Sequence, residues 1–155
     1  MSIEILVDAD ACPVKDEIYK VALRHGVRVV IVANGGVRIP DHQLIAREIV
    51  GDAFDAADDW IAERAGPASI IITGDILLAD RCLKSGAAAV IAPNGKPFTS
   101  DSIGAAIAMR AIMNDLRGSG DPTSAGGQNP FSKEDRSRFL QTLDATLVRS
   151  GKYTL

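Results

Sequence analysis

Apolar positions along the chain fall into short unbroken runs separated by segments of helical period. Ile3–Val7, interrupted only by Glu4, is the first run, and Val27–Val32, Ser69–Thr73 and Ala87–Ala92 follow. Such runs, with no alternating polar face, suit strands buried on both sides, as in a parallel sheet. Val14–His25, Phe54–Ala65 and Ile76–Ser85 read as helices, with Pro13 at the first helical position of the first one. Gly26 and Gly86 stand where the first and third of these end. Asp41–Ala46 reads as a short helix and Arg47–Val50 as a short strand. Ser100–Arg117, with Ile103, Ile107 and Ala111 at helical spacing, is a further helix capped by Ser100 or Asp101. Residues 118–131, rich in Gly, Ser and Pro at their start, read as a flexible loop. Ser132 and Asp135 open a last helix over 132–150 in capping-box style, and Phe139, Leu143 and Leu147 form its apolar stripe. Alternating strands and helices predict one α/β domain over 1–155. It is a three-layer α/β/α sandwich on a mostly parallel five-stranded sheet with right-handed crossovers, plus C-terminal helices.

Composition narrows the function classes. The 155 residues suffice for one buried core, and 46% hydrophobic with 24% charged residues is an ordinary globular balance. A net charge of −3 argues against a strongly basic nucleic-acid binder, yet leaves room for a nuclease whose acidic metal site lowers the total. The start has no basic segment ahead of a long apolar core, and no run reaches the ~18 apolar residues of a membrane span. A cytoplasmic setting is the expectation. Two cysteines, Cys12 and Cys82, make neither a disulfide framework nor a zinc set. Cys12 precedes a helix start, but it reads as a small buried residue. The histidines are His25 and His42, and no nucleophile–histidine pair stands out.

The chemistry is in the carboxylates. Asp8 and Asp10 follow the first strand two positions apart, and in an extended segment such residues point the same way. Asp75 follows the Ser69–Thr73 strand as Asp8 follows the first. Open α/β sheets bind ligands at these carboxyl ends. Each acid also has a plainer reading: Asp10 or Asp75 could cap a following helix, and Asp52 or Asp55 could cap the helix near residue 54. Asp55, Asp58 and Asp59 suit that helix's dipole, but Asp55 and Asp58 share a face and one could reach the sheet end. Asp80 reads equally as a solvated helical charge. Acids gathered at one edge repel, and Mg²⁺ or Mn²⁺ is the usual remedy. Asn34-Gly35-Gly36 could present backbone N–H groups to a phosphate or simply turn the chain. Lys15 could meet a phosphate or remain solvated. Lys20, Arg24, Arg38, Arg47, Arg81, Lys84 and Lys96 are further basic positions open to both readings.

Across nearly its full length the chain resembles the DUF188 (UPF0178, YaiI/YqxD-like) family. The motifs are DADACPVK (Asp8–Lys15), VANGG (Val32–Gly36), Gly51–Ile61, Ile72–Ala87 and Asn129–Leu143. That family in turn looks like the PIN-like metal-dependent ribonucleases: an acid on a helix, a strand, Thr-x-Asp, a helix and a last strand. The resemblance implies Asp8 as the first-strand acid, Asp55 or Asp58 as the helix acid, and Asp75 with Thr73 beside it as the Thr-x-Asp pair. Glu48 is a poor match to the further Glu of those enzymes, and Asp10 could take its part. The resulting expectation is a Mg²⁺- or Mn²⁺-dependent ribonuclease. Asp8, Asp10, Asp58 and Asp75 act as catalytic residues and metal ligands, Lys15, Asn34 and Thr73 lie at the substrate, and RNA is the partner. Two alternatives remain. Asp8-Ala9-Asp10 with Gly74-Asp75 and Asp80 resembles the motifs of haloacid-dehalogenase-like phosphatases, with Asp8 as covalent nucleophile. A PIN-like domain kept only to bind RNA or protein is the other.

Overall fold

The computed structural model describes residues 2–10, 12–51, 53, 55–118 and 131–150. Its strands are β1 (Glu4–Asp8), β2 (Arg28–Ala33), β3 (Ile45–Ile49), β4 (Ser69–Ile72) and β5 (Ala89–Ile91). Its helices are α1 (Lys15–His25), α2 (Ala56–Arg64), α3 (Ile76–Lys84), α4 (Ser100–Gly118) and α5 (Lys133–Arg149). The strands form one sheet in the order β3-β2-β1-β4-β5, and every strand pair is parallel. The chain builds outward from β1 to β3 and then crosses back to add β4 on β1's other side. The strand order therefore reverses between β1 and β4, where side chains following the two strands flank an open crevice.

Strand residues alternate between two cores. Ile5, Val7, Val29, Ile31, Ile70, Ile72 and Ile91 face one side, against Ile18 and Ala22 of α1 and Phe139, Leu143 and Leu147 of α5. Leu6, Val30, Val32, Ile71 and Val90 face the other, against Ile61 of α2, Leu78 and Cys82 of α3, and Ile103 of α4. This double burial explains the continuous apolar runs. Each fully buried Ile or Leu contributes on the order of 1.5–3 kcal/mol.

Helix ends follow local chemistry. Gly26 closes α1 at φ 69°, and its N–H donates to the carbonyls of Ala22 and Leu23. Ser132 and Asp135 form a reciprocal capping box at the start of α5. Between Pro93 and Pro97 the chain turns through Gly95 at φ 88°, and this loop is fastened to α5. Thr142 Oγ1 donates to the Gly95 carbonyl at 2.9 Å, and Arg138 Nη1 to that of Asn94 at 3.1 Å. His25 at the end of α1 is hydrogen-bonded to Asp144 of α5.

Two local expectations differ from the structure. Asp41–Ala46 is no helix: Leu44 N–H donates to His42 Nδ1, Ile45 N–H to the His42 carbonyl, and Ile45 already pairs with Val29. The pull of the apolar Ile45 into the sheet core outweighs local helical tendency. Pro13 lies ahead of α1 in a turn, with Val14 as N-cap. Most of the expected loop, 119–130, lies outside the described residues. No helix among the described residues is long and apolar enough to cross a membrane.

Candidate active site

The carboxyl ends of β1 and β4 open into a cavity of about 660 Å³. Asp8, Asp10, Asp55, Asp58 and Asp75 line it, together with Asn34, Arg81, Arg110 and the apolar Leu77 and Leu78. The acids arrive from three places. Asp8 ends β1, with Asp10 just beyond it; Asp55 and Asp58 sit at the start of α2; Asp75 stands at the start of α3. Their meeting follows from the reversal of strand order, because α2 and α3 both cover the face that β1 and β4 share.

Thr73 ties the two strand ends together. It is buried, its Oγ1 donates to Asp8 Oδ2 at 2.9 Å, and the same oxygen accepts from the Asp75 N–H at 3.0 Å. Thr73 thus links the Asp8 carboxylate, 65 residues away in sequence, to the backbone of Asp75. Asp75 also caps α3, its Oδ1 accepting from the N–H groups of Leu77 and Leu78. Cap and cavity lining coexist in this residue, since only Oδ1 takes the helix bonds. Asp10 does not cap α1: Asn34 Nδ2 donates to its Oδ2 at 3.2 Å, holding the β1 and β2 ends together.

Crowding of like charge marks the site. Asp8 is pushed above the ordinary carboxylate range by burial and then by Asp10 and Asp75, while the Thr73 hydrogen bond acts the other way. Asp58 rises from 3.8 to about 6, first through burial and then through Asp75, Asp8 and Asp55. Between about pH 4 and 6 the folded state therefore holds a proton on Asp58 that the unfolded chain has released, and stability falls as pH rises through that window. Asp58→Asn is expected to raise stability at pH 7 by ~1 kcal/mol, discounted for the group's partial exposure. Thermal scans should show a gain of about 3 °C at pH 7 that disappears below pH 4.

Other positions stand apart from the cavity. Lys15 Nζ donates to the Cys12 carbonyl and is not part of the lining. Thr73, being buried, reaches a ligand only through the Asp8 carboxylate and the Asp75 backbone it holds. Asp80 pairs with Lys84 at 2.9 Å and is not among the lining residues, so the second acid of the phosphatase-like motif does not line the cavity with Asp8. Glu48 lies on β3 opposite Val32, also outside the lining. Cys12 and Cys82 are buried free thiols, and burial pushes both upward, Cys82 to about 11. Thiolate chemistry at neutral pH is disfavoured at both.

A model of the DUF188 family, described as an uncharacterised YaiI/YqxD family, matches residues 6–149. The chain belongs to the UPF0178 (DUF188) family. It is 67% identical to a UPF0178 protein of Sphingopyxis alaskensis over 94% of this chain and 93% of that one. It is 60% identical to a UPF0178 protein of Nitrobacter winogradskyi over 96% and 92%, and 59% identical to one of Bradyrhizobium over 95% and 88%. No solved structure matches the chain.

For this UPF0178 chain, the acid set also suits a divalent cation on its donor chemistry. Among the described residues no three His, Cys, Asp or Glu side chains form a ready-made cation cage. Mg²⁺ keeps several waters and takes only one or two carboxylates directly, so an open arrangement of acids matches that habit. Arg110 is the lining residue that motif reading passes over. The signal is in α4: Ile103 and Ile107 face the core, and the next position on that face is Arg110.

Proposed function

We propose that this UPF0178 protein is a Mg²⁺- or Mn²⁺-dependent phosphodiesterase of PIN-like type that hydrolyses RNA. The observation that carries the reading is the convergence of Asp8, Asp58 and Asp75, from three separate elements, on one cavity at the strand-order reversal. Unrelieved, these carboxylates oppose one another and would repel a nucleic-acid phosphate. A divalent cation among them would supply a water of lowered pKa and positive charge at a phosphoryl oxygen. In this reading Asp8 and Asp75 would hold the cation, and Asp10 and Asp58 would contribute directly or through water. Thr73 keeps Asp8 and Asp75 in register, and Asn34 keeps Asp10 in place. Burial of the thiols and the absence of a nucleophile–histidine pair in the described lining favour activated water as the attacking group.

The test is cleavage of labelled single-stranded RNA in Mn²⁺ by the wild-type protein, Asp8→Asn and Asp75→Asn, alongside calorimetric Mn²⁺ titration. Saturable Mn²⁺ binding and cleavage, both lost in Asp8→Asn, are the expected result. Wild-type protein that binds no Mn²⁺ and leaves RNA intact would remove the reading. Trapping of a phosphorylated Asp8 would replace it with a covalent phosphatase mechanism.

A further inference from the structure

We propose that Arg110 is the anchor for the substrate phosphate in this cavity, an inference that rests on the phosphodiesterase reading. The cavity has two guanidinium groups, Arg81 and Arg110. Arg81 is already engaged, its Nη1 lying 2.9 Å from Asp59 Oδ1. Arg110 lines the same cavity with no hydrogen-bond or ion-pair partner among the described residues. It is therefore the positive group there that is free to meet an incoming anion.

Its placement follows from how α4 is docked. Ile103 is buried in the core shared with α2 and α3, and Ile107 packs against that core one turn later. Arg110 is three residues beyond Ile107 and continues the same helix face. The apolar seam thus ends where the cavity begins, and a long cation takes the next place. Beyond the seam Met109, Ile112 and Leu116 are exposed, so α4 does not bury its second half in the core. Arg110 lines the cavity from α4, an element that supplies none of the five acids.

The chemistry of a phosphodiester suits this arrangement. One non-bridging oxygen can face the cation side of the cavity while another accepts from a planar guanidinium, whose paired N–H groups match phosphate geometry. A carboxylate cluster by itself attracts cations alone; an unengaged arginine lining the same cavity adds a group that can hold an anion. That combination fits a substrate with an anionic centre held between metal and arginine. Arg110 is thus a binding and positioning residue, and its loss should act on KM more than on kcat.

The test compares wild type, Arg110→Ala and Arg110→Lys in binding a short fluorescent oligouridylate, with Ca²⁺ present in place of Mn²⁺, across a series of salt concentrations. Cleavage kinetics in Mn²⁺ follow. Arg110→Ala is expected to weaken binding about tenfold at low salt and to reduce the slope of log K against log salt by about 0.7, the signature of one lost phosphate contact on a single strand. Arg110→Lys should keep that slope and bind about threefold less tightly than wild type, because charge remains while the paired geometry goes. In cleavage, KM should rise in Arg110→Ala with kcat within about threefold. Unchanged affinity and slope in Arg110→Ala would overturn the anchor, and so would a wild type that binds no oligouridylate. Cleavage that persists while Arg110→Ala binds normally removes the anchor and leaves the phosphodiesterase reading standing. Binding that depends on Arg110 without any cleavage does the reverse.

Discussion

Asp8→Asn is expected to lower Mn²⁺-dependent RNA cleavage by about a thousandfold, at the upper end of what removal of one key electrostatic group usually does. The residue ends the central strand, sits half-buried at the crevice, and takes the Thr73 hydroxyl on Oδ2. Asparagine preserves size and can still accept that hydrogen bond, so the change is one of charge. The same substitution should not weaken the fold. Asp8 is held above its ordinary 3.8 by burial, Asp10 and Asp75, so the folded state favours its protonated form. The resulting penalty develops as pH rises through 3.8 and is complete above the folded value. At pH 7 the variant should therefore melt no lower than wild type. Mn²⁺ should raise the wild-type melting temperature through linkage and leave the variant's unchanged. Single-turnover cleavage and thermal scans with and without Mn²⁺ check this together. Activity within tenfold of wild type would remove Asp8 from the chemistry, and a simultaneous fall in stability would mark a structural role.

Gly95→Ala is expected to destabilise the protein by about 3–4 kcal/mol, combining a left-handed backbone position with overpacking. Gly95 has φ 88°, and an added Cβ would lie 2.6 Å from Arg138 C and Phe139 N. Both are backbone atoms of α5, so the helix or the loop must move. Movement of α5 disturbs Phe139, Leu143 and Leu147, all fully buried, and strains the Thr142 bond to the Gly95 carbonyl. The melting temperature should fall by about 10 °C for a chain of this size. Gly66→Ala is the matched comparison: no atom lies within 4 Å of its added Cβ and no positive φ is involved. It should change stability by no more than about 0.5 kcal/mol. Equal effects from the two substitutions would contradict the close approach at Gly95.

Much of this layout could be read from the sequence because burial writes itself into residue pattern. Ile70, Ile71 and Ile72 carry no polar alternate, since one side of β4 lies in the core that holds α1 and α5 and the other in the core that holds α2, α3 and α4. Ser132 with Asp135 announces a helix start through chemistry confined to one turn. Where tertiary pairing decides, sequence pattern misleads: residues 41–46 have local helical character, yet Ile45 is drawn into register with Val29. Asp55 and Asp58 illustrate a different limit. Three residues apart, they share a helix face, and both line the cavity. Only packing distinguishes the exposed Asp55 from the partly buried Asp58. Arg110 escaped motif reading because its meaning depends on where α4 is pinned by Ile103 and Ile107, far along the chain from the strand-end acids.

The central position of β1 has a consequence for synthesis on the ribosome. The strand that emerges first can pair at once with β2, but its other edge waits for β4, and the Asp8–Thr73 bond waits with it. One sheet face waits longer still, for Phe139, Leu143 and Leu147 of α5. A nascent chain released before α5 would present Val7, Ile72 and Ile91 to water with the acidic crevice already largely assembled. The order of emergence thus separates formation of the acidic edge from closure of the hydrophobic face, which waits on the last helix rather than on the first strand.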